Sequence, residues 1–466
     1  ATVSRMGIIF LSQEDVEPRH VVESYAASRM SDEARERVVP WINEHAFPLI
    51  NAAIEQGTFS VETPRMALVN ATLAHTEAAA NLSDFTCRLM RALSGFMPVE
   101  EQAAFAAKVF QKTGVSPANR DCVLDCYFDA EKNRDESFAQ PHNVAREVDP
   151  GQLTAATRGE IPMVRTFEVQ RTLKTLEPLI AGEEGKPFFL VGPEGCGKTL
   201  VLANCFNSLK SVRIATINCS AQTTSSQVIQ KLQQQCSVFS TSTGKVLRPK
   251  EADRLVLVFK DISLPKADKY GTVMLHSLLQ QLLLYRGFYD DDLEWVGIER
   301  VQIVGSMTSA ASSGGFPMSP RLLAIVNIVT IGYPTDASLK LVYQAFFSGL
   351  VRSALFADGR QYDDGKELAV CAVSVYNKMK KRFGGENYRY CVFCPRDITS
   401  IVLNALRYDT TGSSLDAIFA HEAARIFTDR LPRAEDRVKA QRILAEELAT
   451  LGHTFQKEGQ PLPIYV

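Results

Sequence analysis

The stretch that decides the fold is Gly192-Pro193-Glu194-Gly195-Cys196-Gly197-Lys198-Thr199, a complete G-x-x-x-x-G-K-[ST] phosphate loop. An apolar run of buried-strand type, residues 187–191, precedes it, and residues 200–206 continue with helical spacing. Strand, glycine-rich loop and helix in that order aim backbone N–H groups and the positive end of a helix at one point. We therefore predict a nucleotide phosphate site in which Lys198 contacts the β- and γ-phosphates and the Thr199 hydroxyl ligates Mg²⁺.

The composition is that of a globular protein with several domains. A chain of 466 residues is too long for one hydrophobic core, so two to four domains are expected. The formal net charge of −2 gives no electrostatic support for a nucleic-acid partner. The sequence contains no run of about 18 apolar residues, so it predicts no membrane span, and the N-terminus does not have the pattern of a signal peptide. Because the chain opens without Met inside a strand-like run, residues 7–11, we expect it to be a piece of a longer polypeptide.

The ten cysteines are scattered along the chain, and several fall in apolar segments, among them Cys87, Cys205 and Cys371. The length of the chain and its phosphate loop favour a protein of a reducing compartment, in which the cysteines are free thiols and not a disulfide framework. Cys391 and Cys394 form a lone C-x-x-C with no second pair and no nearby His. We interpret them as buried thiols and not as a zinc or redox site.

Hydrophobic spacing predicts a helical region, then an α/β region, then a second helical region, so the fold class is α/β plus all-α. Residues 13–118 read as successive helices, and residues 129–160 have the polar, aperiodic composition of a connector, followed by a helix from about 167 to 176. Alternating strands and helices from 187 to 335 predict a mostly parallel sheet with helices on both faces, interrupted by a hairpin around Ser242-Thr243-Gly244. The predicted strands are 187–191, 212–217, 254–259, 301–305 and 325–330, and the predicted helices are 199–209, 225–235, 272–285, 364–382, 397–406 and 433–451.

A phosphate-loop NTPase also needs acidic residues at the end of a second strand, to hold Mg²⁺ and to polarise the attacking water. The suitable strand is 255–259, and Lys260-Asp261 follows it where Asp-Glu is expected. In one register Lys260 replaces the magnesium ligand and Asp261 the catalytic Glu; in the other, Asp261 keeps the metal role and Ile262 follows. Either register lacks one carboxylate, so we predict nucleotide binding with slow or no hydrolysis. The alternative is that Lys260 extends into solvent and the ATPase is intact.

A polar group after the next strand commonly contacts the γ-phosphate. The strand-like run 301–305 leads into Ser306-Met307-Thr308. Thr308 is the candidate for this role, and Ser306 is its substitute.

Several motifs, in the same order along the chain, resemble dynein heavy chains. Ala1-Thr2-Val3-Ser4-Arg5-Met6-Gly7 resembles the A-T-V-S-R-x-G signature late in the second AAA+ module, and residues 260–265 resemble the D-E-I-N-L-P segment of the third module. The phosphate loop, residues 219–224 and the Lys260-Asp261 form look closest to the cytoplasmic dynein of retrograde intraflagellar transport. The resemblance covers essentially the whole chain.

The resemblance implies an AAA+ P-loop NTPase large subdomain flanked by helical lid subdomains. It implies that Arg5 and Arg321 are arginine fingers for the sites of the first and second modules, and that Arg396 is a lid arginine closing over the γ-phosphate. The segment containing Pro162 and Val164 resembles the family's adenine-cradling segment. The implied domains are the end of the preceding large subdomain (1–12), its helical lid (13–118), a connector with the start of the next module (119–186), the phosphate-loop large subdomain (187–335) and a helical lid (336–466).

The implied function is an ATP- or ADP-binding regulatory module, with Mg²⁺ held by Thr199 and Asp261, in a minus-end-directed microtubule motor. Its partners would be the neighbouring AAA+ modules and, through the parent protein, intermediate and light chains and microtubules. The implied location is the cytoplasm, the cytoskeleton and the cilium or flagellum. Two alternatives remain: a hydrolytically active AAA+ module of another dynein or of a remodelling ATPase, and a structural spacer that binds nothing.

Overall fold

The structure, a computed structural model, describes residues 9, 16–139, 148–156, 161–241, 244–290, 292–308, 315–353, 365–385, 388, 390–408 and 415–451. Arg5 and the signature around it lie outside these residues. The chain divides into two compact units. The first comprises Ala1–Phe138, Arg171–Pro193 and Leu202–Ile331, and the second comprises Ala139–Gln170, Glu194–Val201 and Gly332–Val466.

Helices account for most of the elements. In chain order they are α1 (Pro18–Arg29), α2 (Asp32–Trp41), α3 (Phe47–Gln56), α4 (Arg65–Thr76), α5 (Leu82–Ser94), α6 (Val99–Thr113), α7 (Pro150–Ala156), α8 (Phe167–Ile180), α9 (Lys198–Asn207), α10 (Ser225–Gln235), α11 (Met274–Tyr285), α12 (Pro320–Leu323), α13 (Asp336–Ser353), α14 (Lys366–Phe383), α15 (Pro395–Ala405), α16 (Leu415–Phe427) and α17 (Ala434–Ala449). A π-helical turn, Ile42–Ala46, joins α2 to α3. No helix in the described part of the chain combines the length and the apolar character needed to cross a membrane.

The strands belong to three sheets in the first unit. They are β1 (Cys126–Asp129), β2 (Arg134–Ser137), β3 (Phe188–Val191), β4 (Val212–Asn218), β5 (Cys236–Thr241), β6 (Gly244–Pro249), β7 (Arg254–Lys260), β8 (Gly287–Tyr289), β9 (Trp295–Ile298), β10 (Val301–Met307) and β11 (Asn327–Thr330).

The central sheet has five parallel strands in the order β11-β3-β10-β7-β4. All four residues of β3 and all seven of β10 are buried, as expected for strands with both faces covered. These are the five strands predicted from the sequence, and the predicted parallel α/β layer is confirmed. In a parallel sheet the carboxyl ends meet at one edge, so the turns after β3, β7 and β10 emerge on the same side.

A smaller sheet has the order β5-β6-β9-β8. Antiparallel pairing of β5 with β6 confirms the hairpin predicted between them. The interpretation of residues 129–160 as an aperiodic connector was wrong in part, because β1 and β2 form an antiparallel pair from Cys126↔Ser137 to Asp129↔Arg134, and α7 lies further along. Both residues of β2 nearest its start are exposed, so the strand has no apolar alternation to detect.

The first unit also joins the helices before residue 118 to the edge of the central sheet. Gly95, after α5, accepts a hydrogen bond at its carbonyl from Thr330 N (2.8 Å). A Cβ at Gly95 would lie 2.8 Å from the Ile328 carbonyl oxygen, so only glycine allows α5 to approach β11 this closely. Asn70 Nδ2 donates to the Ala324 carbonyl at 2.8 Å, which adds a second tie.

The second unit is helical, with a core built by α7 and α13–α17. The predicted helices 364–382, 397–406 and 433–451 correspond to α14, α15 and α17. Within this core the Tyr343 hydroxyl donates to the Pro395 carbonyl at the start of α15. Arg430 pairs with Asp397 at 2.6 Å and lies 5.1 Å over the Phe393 ring. These contacts fix the position of the segment that contains Arg396.

Candidate nucleotide site

The phosphate loop has the backbone that its glycines were predicted to provide. Gly195 and Gly197 have φ of +75° and +99°, in the region that L side chains rarely adopt. Helix α9 then begins at Lys198. Lys198 is 9% exposed, whereas Thr199 in the same turn is exposed.

Gly195 is required for a second reason. A Cβ at this position would lie 2.8 Å from both Cβ and Sγ of Cys394, which precedes α15. The same notional atom would be 3.9 Å from Cβ of Arg396. Within the second unit, Arg396 therefore lies beside Gly195, and the Arg396 side chain is exposed. Burial raises the pKa of the Cys196 thiol, while the positive charges of Lys198 and Arg396 oppose that increase.

Tyr333 fixes the loop from another direction. Its hydroxyl donates to the Glu194 carbonyl at 2.7 Å, and the Lys380 ammonium lies 4.3 Å from the centroid of its ring. Burial raises the pKa of Tyr333, so the phenol stays protonated and able to donate. The contact ties the chain just after β11 to the loop just before Gly195.

Cys394 occupies the N-cap of α15. Its backbone N–H donates to Asp397 Oδ2 at 2.9 Å, as the third residue of the helix reaches back to the cap. Burial raises the pKa of Cys394, and the Asp397 charge adds to the increase. Cys391 and Cys394 are both buried free thiols, as predicted for this C-x-x-C.

The segment containing Pro162 and Val164 leads into α8. Val164 is buried and Pro162 is half-buried. Just beyond, the Glu168 carboxylate accepts hydrogen bonds from Thr335 N (3.1 Å) and the Ser338 hydroxyl (2.8 Å). Burial would raise the pKa of Glu168, but hydrogen bonds from its own backbone N–H, from Thr335 and from Ser338 hold the pKa below the ordinary value. The segment is therefore tied to the start of α13.

The acidic residue after β7 lies in the first unit. Strand β7 ends at Lys260, and Asp261 begins a turn with φ of +57° and its side chain exposed. Asp261 N donates to Ser306 Oγ at 3.4 Å, and Ile262 N donates to the Ser306 carbonyl at 3.0 Å. Ser306 is thus buried and engaged by this turn, whereas Thr308 is half-buried just past β10.

Two further features concern the cations. Arg321 is exposed on the four-residue helix α12. The described residues contain no cluster of three or more His, Cys, Asp or Glu side chains that could hold a metal. The oxygen donors predicted for Mg²⁺ are one exposed hydroxyl, Thr199, and one exposed carboxylate, Asp261.

Sequence reasoning missed Tyr333 and Lys380, and it treated Cys394 only as a buried thiol. Tyr333 is 139 residues from Glu194, and Cys394 is about 200 residues from Gly195, so no local spacing connects them. The usable signal was Cys394-Pro395-Arg396, because a residue predicted to reach the γ-phosphate must have neighbours close to the loop.

Three family models match the chain, each by its own segment. Residues 17–113 match "Cytoplasmic dynein 2 heavy chain 1, AAA+ ATPase domain", residues 154–334 match "P-loop containing dynein motor region", and residues 351–437 match "Dynein heavy chain, ATPase lid domain". The predicted AAA+ large subdomain and helical lid are therefore confirmed.

Individual relatives agree with these models. The chain is similar to cytoplasmic dynein 2 heavy chain 1 of Tripneustes gratilla (39% identical over 95% of the chain), Homo sapiens (36% over 94%) and Chlamydomonas reinhardtii (31% over 92%). In each case it covers 10% of the relative, so the chain spans about a tenth of the length of the relatives it matches. The predicted resemblance is confirmed: the chain belongs to the dynein heavy-chain family, and the relatives it matches are of the cytoplasmic dynein 2 type.

Proposed function

We propose that this chain is a regulatory AAA+ module that binds ATP or ADP at residues 192–199 and hydrolyses ATP slowly or not at all. The observation that carries the proposal is the loop itself. Gly195 and Gly197 take left-handed backbone conformations, and α9 begins directly after them at Lys198. Such a loop can turn its N–H groups toward a phosphate, and the N-terminus of α9 adds positive potential.

The base and the γ-phosphate would be held by the other predicted residues. Pro162 and Val164 would cradle the adenine, and the half-buried Pro162 leaves an apolar surface for it. Arg396 would contact the γ-phosphate, and its position beside Gly195 supports this role. Thr308 suits the predicted γ-phosphate contact better than Ser306, because Ser306 is buried and Thr308 is only half-buried.

Slow hydrolysis follows from the acidic turn. One carboxylate, Asp261, stands where a hydrolysing site uses two, and Lys260 brings a positive charge to the place of the other. Oxygen donors suit Mg²⁺, and Thr199 with Asp261 would hold it. The bound ion would neutralise phosphate charge. A second candidate function, an active ATPase, is favoured by the exposed Asp261 carboxylate.

The parent protein would be a minus-end-directed microtubule motor of retrograde intraflagellar transport, located in the cytoplasm, the cytoskeleton and the cilium or flagellum. Residues 1–118 would end the second module and residues 119–466 would form most of the third. Arg5 and Arg321 would act as arginine fingers on neighbouring sites, and the exposure of Arg321 is compatible with that role. Intermediate chains, light chains and microtubules would bind elsewhere on the parent.

The test measures ATP and ADP binding and Mg²⁺-dependent turnover for the wild type, Lys198→Ala and Asp261→Ala. We expect binding that Lys198→Ala abolishes, and turnover at background level in all three. Turnover that Asp261→Ala removes would instead establish an active ATPase. Absence of binding would establish the spacer.

A gain-of-function variant separates a defective acidic turn from a missing neighbour. The double change Lys260→Asp, Asp261→Glu restores the two carboxylates, and the parent motor supplies the neighbouring arginine. In that motor we expect turnover at this site to rise at least tenfold. The motor carrying Lys198→Ala should show altered microtubule gliding, and unchanged gliding would contradict a regulatory role.

A further inference from the structure

A small cavity of about 50 Å³ lies in the first unit. It is bounded by α5, α6, α8 and the end of β11. Most of its polar lining can donate hydrogen bonds, and it includes Arg91, Ser94, Gln102, Arg171, Thr175 and Thr330.

Arg91 is the unusual member of this lining. Arg91 is only 6% exposed, and its Nη2 donates a hydrogen bond to the Cys126 carbonyl at 2.5 Å. The guanidinium also lies 5.7 Å from the centroid of the Phe138 ring. Within the described ranges Arg91 forms no ion pair with a carboxylate. Buried arginines without one are rare, since the charge loses its hydration.

The Asp125 charge acts on Arg91, but the Asp125 carboxylate is ion-paired with another arginine. Arg171 also lines the cavity, and its own positive charge is matched by Asp125 (Nε to Oδ1, 2.5 Å). The nearby Cys87 thiol stays neutral, since burial raises its pKa to about 12. Among the described residues, Arg91 therefore lines the cavity without a carboxylate as an ion-pair partner.

The cavity also has an unused hydroxyl. Thr330 Oγ1 is a buried oxygen with no hydrogen-bond partner, although the backbone of Thr330 is fully engaged. Its N–H donates to Gly95 and its carbonyl accepts from Gln102 Nε2 at 3.2 Å. A hydroxyl that can donate and a guanidinium that line the same cavity form a donor set suited to an anion.

We propose that this cavity binds a small tetrahedral oxyanion of the phosphate class, held by the Arg91 guanidinium and the Thr330 hydroxyl. A single water needs roughly 10–15 Å³ of such volume, so about 50 Å³ leaves room for a larger guest. Guanidinium matches oxyanion geometry through its fork of N–H donors. The anion would pair with the Arg91 guanidinium.

The position of the site gives its occupancy a consequence. Thr330 is the last residue of β11 and is in register with Val191, the last residue of β3 before the phosphate loop. The anion would connect α5, which carries Arg91, to this strand. Free phosphate would therefore stiffen the contact between the helices and β11, the edge strand that pairs with β3 just before the phosphate loop.

The experiment is a phosphate titration of the whole chain, followed by thermal unfolding at constant ionic strength with chloride as the balancing anion. Because the phosphate loop also binds phosphate, the titration is done in the Lys198→Ala background. We expect a saturable stabilisation that persists there. Adding Arg91→Met should weaken phosphate affinity at least tenfold, and Thr330→Val, which keeps the side-chain shape, should weaken it severalfold.

A second buried arginine provides the matched control. Arg254 donates to the Ile180 and Gly182 carbonyls and does not line the cavity. Arg254→Met should lower the melting temperature and leave the phosphate dependence unchanged. If Arg91→Met does not fold, two other results test the proposal. One is the phosphate affinity of Thr330→Val, and the other is an anomalous selenate peak between Arg91 and Thr330 in crystals of the Lys198→Ala chain.

Three results would overturn the proposal. One is the loss of all saturable phosphate binding in the Lys198→Ala background, which would place the anion at the phosphate loop. Another is binding that survives Thr330→Val and Arg91→Met unchanged. The third is a cavity that contains only water in crystals grown with selenate.

Discussion

Replacing Gly195 by alanine tests the geometry of the phosphate loop in two separable ways. The backbone strain of a non-glycine residue at φ of +75° costs about 1–3 kcal/mol. The new Cβ would also lie 2.8 Å from Cβ and Sγ of Cys394, and overpacking of this kind costs about 1–3 kcal/mol. We therefore expect Gly195→Ala to disfavour the observed loop by about 2–6 kcal/mol, with a corresponding loss of nucleotide affinity.

Gly197→Ala is the matched control. Its φ of +99° imposes strain, but no atom lies within 4 Å of its notional Cβ. Only the strain contribution, about 1–3 kcal/mol, applies. Cys394→Gly should rescue Gly195→Ala and not Gly197→Ala, since it removes both atoms that the new methyl group meets and glycine is tolerated at a helix N-cap.

The assay is a double-mutant cycle on the dissociation constant of ATP, measured by calorimetry. We expect Cys394→Gly to recover about 1–3 kcal/mol in the Gly195→Ala background, which is roughly 5- to 150-fold in affinity. Recovery of the same size with Gly197→Ala, or no recovery with Gly195→Ala, would refute the close approach of Cys394 to the loop.

Three further changes test contacts in the two units. Tyr333→Phe removes the hydrogen bond to the Glu194 carbonyl and should weaken nucleotide binding by about 0.5–1.5 kcal/mol in calorimetry, with little change in melting temperature. Lys186→Met breaks the 2.5 Å ion pair with Glu77, which is mostly buried, and should lower the free energy of unfolding of the first unit by about 1–3 kcal/mol in urea titrations. His75 is buried, and burial lowers its pKa from 6.5 to about 4. As the pH drops, His75 is therefore protonated in the unfolded chain before it is protonated in the folded one. The free energy of unfolding should fall by roughly 3 kcal/mol between pH 6.5 and pH 4. In His75→Leu that contribution to the pH dependence of unfolding should be absent.

Each of these has a control and a contradicting outcome. Lys174 pairs with Glu177 on the surface, so Lys174→Met should cost under about 1 kcal/mol, and an equal loss in both lysine variants would argue against a special role for Lys186. An unchanged affinity in Tyr333→Phe would show that the phenol does not position the loop. A pH profile that His75→Leu leaves unaltered would assign the acid sensitivity to other groups.

Sequence patterns reached the central layer because its physics is local. Each buried parallel strand is a short apolar run, and the glycines of the phosphate loop indicate backbone conformations that other residues avoid. The β1–β2 hairpin was missed for the opposite reason. β2 (Arg134–Ser137) is polar along its length, so the sequence has no apolar pattern there, and the strand is defined only by its pairing with β1.

The surroundings of the loop could not be predicted from spacing. The approach of Cys394 to Gly195 depends on how α15 is anchored by Asp397 and Arg430, and these side chains come together only in the folded lid. The role of Ser306 was equally hidden. The Ser306 hydroxyl accepts a hydrogen bond from the backbone N–H of Asp261, and this contact depends on the register of β10 with β7.

The most direct test of the central claim is to incubate the chain with ATP labelled on the γ-phosphate and to measure both the nucleotide retained and the phosphate released. The proposed function, nucleotide binding at residues 192–199 with an acidic turn that lacks one carboxylate, predicts about one retained nucleotide per chain and phosphate release at background level. Lys198→Ala should retain none. Repeated turnover by the wild-type chain, or no retained nucleotide at all, would contradict the account.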